Sequence, residues 1–189
     1  MKRLSLLFLV ILVAASAISA HEGSIGLYYN QTATDCDATL PPFTPTNIYL
    51  IYYRSDAGPD GITGAECRVE ISSAQVSLVS FTEPPSTLTN GNILTGIGIV
   101  FTTDCFGAGQ EYVLLGTLSL LSQAAPEGWT AKVFGDPRSQ TGDGLNVAIC
   151  GGTKPLQPVL GGWFIGQDGA CNVGVETATW GAVKSMYNK

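Results

Sequence analysis

Short apolar runs, cut at close intervals by turn residues, constrain this chain more than any other feature. The runs cover 24–29, 47–54, 66–71, 75–81, 93–101, 112–121, 129–134, 145–149 and 159–165. They are rich in Ile, Val, Leu, Tyr and Phe, which suit pleated, half-buried surfaces. Between them stand Asp-Ala-Gly-Pro-Asp-Gly, Glu-Pro-Pro-Ser, Asn-Gly-Asn, Gly-Asp-Pro-Arg and Gly-Gly-Thr-Lys-Pro. Each holds residues that fix or tolerate turn dihedrals. Strands this short and this evenly spaced predict an all-β fold. The expected form is an antiparallel Ig-like or jelly-roll β-sandwich of about eight or nine strands.

Some runs also indicate which side is buried. In 93–101, Ile93, Ile97, Ile99 and Phe101 form one bulky series, while Leu94, Gly96, Gly98 and Val100 form the other. The run 47–54 is apolar on both sides, which fits a strand covered on both faces. In 112–121 the pattern places Leu114, Gly116, Leu118 and Leu120 on one face.

The two ends depart from the β pattern. Lys2 and Arg3 precede an unbroken apolar stretch at 6–13 and then Ala14, Ala15, Ser16, Ala17, Ser19 and Ala20. That is the layout of a cleaved signal peptide over 1–20, too short for a spanning helix. The expected organisation is a leader at 1–20, a sandwich domain at 21–175 and a tail at 176–189. In the tail, Trp180, Val183 and Tyr187 form one stripe at helical spacing, with Thr177 or Thr179 as cap. A short C-terminal helix is the expectation, either docked on the sandwich or serving as a sorting or partner-binding tail.

Export implies a secreted, extracellular or bacterial envelope location, with no transmembrane segment in the mature chain. The net charge is −6. Losing Lys2 and Arg3 makes it about −8, which disfavours nucleic acid and anionic membrane surfaces as partners. The cysteines, Cys36, Cys67, Cys105, Cys150 and Cys171, all follow the leader. No pair has Cys-x-x-Cys spacing, so they read as structural disulfide candidates with one residue left over.

Residues able to carry chemistry are sparse. His21 is the only histidine, which disfavours copper-brace chemistry and a Ser-His-Asp or Cys-His mechanism. An acid-catalysed glycoside hydrolase needs only two carboxyls, with Glu66, Glu70, Glu83, Glu111, Asp136 and Asp143 as candidates. Asp56, Asp60 and Glu66 surround a glycine-rich turn and are the candidate calcium ligands; otherwise the segment is plain turn chemistry. No other cofactor is expected. For a ligand surface, Trp129, Trp163 and Tyr53 supply candidate aromatic platforms, and Asp136 and Asp143 a polar rim.

The stretches Gly98-Ile-Val-Phe101 and Leu115-Gly-Thr-Leu-Ser-Leu120 resemble strands of the cohesin and carbohydrate-binding-module class of sandwiches. The ending Thr179-Trp-Gly-Ala-Val-Lys-Ser-Met-Tyr187 resembles the Trp-Gly-x-Ile/Val-Lys-x-x-Tyr tails of uncharacterised secreted bacterial proteins. Gly26-Leu-Tyr28 and Thr34-Asp-Cys36 resemble the opening of those same proteins. The first resemblance concerns the fold; the leading functional expectation is a non-catalytic binding or adhesion module with an extracellular glycan or protein as partner. The alternatives are a structural component of a cell-surface assembly and the acid-catalysed hydrolase.

Overall fold

The computed structural model describes residues 23–36, 39–54, 60–126, 128–139, 144–150, 157–158 and 164–166. The leader at 1–20 and the tail at 176–189 lie outside them. The described strands are β1 (Ser24–Tyr28), β2 (Thr46–Tyr53), β3 (Ile62–Ile71), β4 (Val76–Thr82), β5 (Thr87–Asn92) and β6 (Gly96–Phe101). They continue with β7 (Tyr112–Ser122), β8 (Thr130–Phe134), β9 (Asn146–Ile149), β10 (Gln157–Pro158) and β11 (Phe164–Gly166).

All the ladders are antiparallel and fall into two sheets. One has the order β1-β2-β7-β4; the other has β10-β9-β3-β6-β5, with β8 alongside β3 and β11 alongside β8. The long strand β3 carries β9 on its first half and β8 on its second. The sheets bury one shared core. Ile25, Leu27, Ile48, Leu50, Tyr52, Val113, Leu115, Leu118 and Leu120 from one sheet meet Ile62, Cys67, Val69, Ile97, Ile99, Val133 and Val147 from the other. Alternate residues of each strand supply this core, which is the period-two pattern read in the sequence.

Three details differ from that reading. The strand expected over 93–101 begins only at Gly96. Residues 93–95 form the turn from β5, and Ile93 still reaches the core. The run 112–121 does not keep one phase. The β2–β7 register slips between Leu50 and Ile51, so Val113 and Leu115 point inward and Leu114 points out. A bulge inserts one residue and so exchanges the faces beyond it. Finally, β5 was not anticipated. Its residues, Thr-Leu-Thr-Asn-Gly-Asn, are polar and exposed along almost their whole length.

A disulfide joins Cys105, in the β6–β7 connection, to Cys150 at the end of β9, with Cα atoms 5.4 Å apart. Cys36 is disulfide-bonded as well. Cys67 is a free thiol in the core, and burial, followed by the nearby Asp136 carboxylate, pushes its pKa up to about 12. Such a thiol is inert at neutral pH.

Candidate functional site

The outer face of the β9-β3-β6-β5 region is flat and only partly polar. Register places Leu88, Val100, Gly64 and Ala148 in one row across four strands. Leu88 is 65% exposed and Val100 53% exposed, and they stand opposite each other on β5 and β6. The next row is Asn90, Gly98, Glu66 and Asn146. A Cβ at Gly64 would collide with the Ile99 carbonyl, and Gly98 has open space above it. The two glycines therefore add no side chain to the middle of the face. Leu88 and Val100 thus form a small contiguous apolar patch on this face.

Polar groups border this patch. Glu66 accepts hydrogen bonds from Ser139 Oγ at 2.7 Å and from Asn146 Nδ2 at 3.4 Å. Further along β3, Arg68 lies over the Phe134 ring at 5.0 Å and pairs with Glu70. That ion pair is solvent-exposed and contributes little to stability. Arg138 ties the β8–β9 connection to the β5–β6 hairpin. Its guanidinium donates to the Asp136 carboxylate at 2.7 Å and to the backbone carbonyls of Gly96 and Asn90. Asp136 is buried under Gly96, whose φ of 128° and bare Cα leave room for the carboxylate. Hydrogen bonds from Arg138 hold the Asp136 carboxyl below the ordinary carboxylate range, against the opposing effect of burial.

The other sheet is different outside. Residues 29–36 fold back over β1 and β2, held by Tyr29 N–H on the Asp35 carbonyl and by Asn30 to Thr34. Beneath this roof Tyr28, Cys36 and Ile51 form a second small core with Ala33, Tyr49, Tyr112 and Leu114. Burial, and then Tyr112 and Tyr53, raise the Tyr28 phenol to about 12. Hence β2 is apolar on both sides: Ile48, Leu50 and Tyr52 serve the main core, while Tyr49, Ile51 and Tyr53 meet the roofed face.

The structure separates the residues singled out in the sequence. Trp129 is only 1% exposed and belongs to the main core, so it offers no platform to a sugar. That expectation is corrected, because the indole is the largest fully buried side chain among the described residues. Tyr53 is half-buried on the roofed sheet, beside Tyr112 at 5.4 Å between ring centres and 32° between planes. Asp136 serves the Arg138 latch instead of a ligand rim. Asp143 and Trp163 lie outside the described residues, as do Asp56 and Cys171.

Of the calcium candidates, only Asp60 and Glu66 lie among the described residues. Glu66 sits within β3, Asp60 lies outside the strand, two residues before its start, and the Glu66 carboxylate is engaged by Ser139 and Asn146. Among the described residues, no three His, Cys, Asp or Glu side chains gather to hold a metal. The sequence reading missed Leu88, because β5 was missed, and Arg138, because a single arginine in a loop carries no periodic signal.

The structure is similar to a cohesin module from a Clostridium perfringens family 33 glycoside hydrolase. The TM-score is 0.52 at 10% identity, over 77% of this chain and 96% of that one. The fold is cohesin-like. Two further cohesins also match. A type I cohesin from a cohesin–dockerin complex of Clostridium thermocellum gives a TM-score of 0.48 at 8% identity, covering 79% of this chain and 96% of that one. A Clostridium acetobutylicum cohesin gives 0.47 at 13% identity, covering 77% and 90%. No protein-family model matches the chain, and no curated protein matches its sequence. Among the described residues, no helix is long and apolar enough to cross a membrane.

Proposed function

We propose that this chain is a secreted, non-catalytic module that binds a protein partner through the open face of its larger sheet. The observation that carries this reading is the exposed Leu88–Val100 pair, in one row with Gly64 and Ala148. The cohesin-like fold supports the class. Export rests on the leader pattern at 1–20 and suits a chain whose Cys105 and Cys150 are oxidised. On this reading the sandwich spans 21–175, and 176–189 is an appended tail.

A test is to assay the processed chain against extracellular proteins and polysaccharides, with calcium and with a chelator. Binding of a protein that is abolished by Leu88→Lys with Val100→Asp and unaffected by the chelator supports the proposal. Binding of a polysaccharide that survives this double variant overturns it. The glycan reading keeps one observation, the half-buried Tyr53–Tyr112 pair on the opposite sheet. Loss of polysaccharide binding in Tyr53→Ala would favour that alternative.

A further inference from the structure

The sheet edges of this sandwich are built unequally. β1 is buried along its whole length, and β10 is two residues long with a proline at its second position. β4 pairs with β7, but its register slips between Leu78 and Ser80 and leaves Val79 bulged and exposed. A bulge or a proline blunts an edge, because it breaks the row of outward N–H and C=O groups. β5 has neither device. It pairs with β6 without a slip from Thr87 opposite Phe101 to Asn92 opposite Gly96, and it contains no proline and no charge. Among the described residues no strand lies on its other side.

The phase of the free edge can be worked out. Thr102 N–H donates to the Ser86 carbonyl at 2.8 Å, so even-numbered residues here turn their backbone groups toward β6. Thr87 and Thr89 therefore turn their N–H and C=O outward. Leu88 and Asn90 project onto the open face beside Val100 and Gly98. Thr89 projects to the opposite side, where its hydroxyl meets the Glu83 carboxylate at 3.2 Å.

We propose that the partner docks as an added antiparallel strand along β5, and that this strand alternates apolar and basic side chains. This rests on the protein-binding reading above. An apolar residue opposite Leu88 extends the Leu88–Val100 row. Its neighbour, opposite Thr89, falls beside Glu83, where Lys or Arg is complementary. A second copy of this chain fits poorly. Thr89 opposite its symmetry mate brings two Glu83 carboxylates to the same axis, in a chain of net charge −6.

The test uses the full chain and three synthetic peptides. One alternates valine and lysine, one has glutamate in place of lysine, and one is the valine–lysine peptide with alternate backbone amides methylated. The valine–lysine peptide is expected to bind and to slow amide hydrogen exchange at Thr87 and Thr89. The glutamate and methylated forms should bind at least about tenfold more weakly. Thr89→Pro removes an outward N–H without touching the β5–β6 ladder and should weaken binding by a similar factor. Failure of the valine–lysine peptide to bind, or equal binding of the methylated one, overturns the added strand. A dimer of the chain that Thr89→Pro dissolves overturns the basic partner. If Val100→Asp abolishes binding of both the methylated and the unmodified peptide, the open face still binds partners and only the edge proposal fails.

Discussion

The outer surfaces of the two sheets present similar apolar side chains to opposite ends. On the β1-β2-β7 sheet, Tyr28 and Ile51 are covered by residues 29–36 and have become a second core. On the β9-β3-β6-β5 sheet, Leu88 and Val100 have nothing over them among the described residues. An apolar side chain on a sheet face thus has two meanings, and covering decides between them. Covered, it contributes to folding; uncovered, it is available to a partner.

Substitutions can break this contrast. The largest effect on stability is expected at the end of the open sheet. Replacing Cys105 and Cys150 with serine opens a cross-link spanning 45 residues and should cost about 2–5 kcal/mol in denaturant unfolding. Under the roof, Ile51→Ala should cost about 2–4 kcal/mol, because it leaves a cavity in a closed cluster. The same change loosens the cover of Tyr28, so spectrophotometric titration should show a phenol ionising below its present value of about 12.

Asp136→Asn should act through pH. The folded carboxyl titrates below its ordinary value of 3.8, so the Arg138 latch stabilises above that value and is lost as pH falls below it. The variant should be less stable at neutral pH, and its stability curve should converge on that of the parent in acid, once pH has fallen through the lowered pKa of the folded carboxyl. The smallest effect belongs to the open face. Leu88→Ser and Val100→Ser should change stability by no more than about 0.5 kcal/mol while weakening partner binding. A large loss of stability in either would show that this face is covered after all.

Much of the sandwich was legible because a strand with one face in a core must alternate, and alternation survives in the sequence. Legibility failed where that requirement lapsed. β5 is exposed on both sides and so has no apolar period, and its Asn-Gly-Asn reads as a turn. The bulge opposite Leu50 and Ile51 shifts β7 by one residue, and no composition marks it. The site was harder still. Trp129 and Tyr53 are both aromatic residues in or near strands, and only the packing shows that one is core and the other half-exposed. Glu66 reads as part of a glycine-rich turn in the sequence, and only the pairing places it inside β3. Leu88 becomes meaningful only when pairing sets it against Val100.

The sealed thiol of Cys67 has a consequence for how the chain matures. Before the sheets close, Cys67 is open to pairing, and because closure entropy changes only slowly with loop length, Cys67 with Cys105 costs about as much to close as Cys105 with Cys150. Once Cys67 lies inside the main core, burial holds it protonated and out of reach of oxidant and disulfide alike. Packing therefore acts as a proofreader, because only a chain that has assembled its two sheets removes its own decoy. A Cys67→Ala chain should reach its native disulfides with fewer mispaired intermediates, and it would show how much of that fidelity resides in the hydrophobic core.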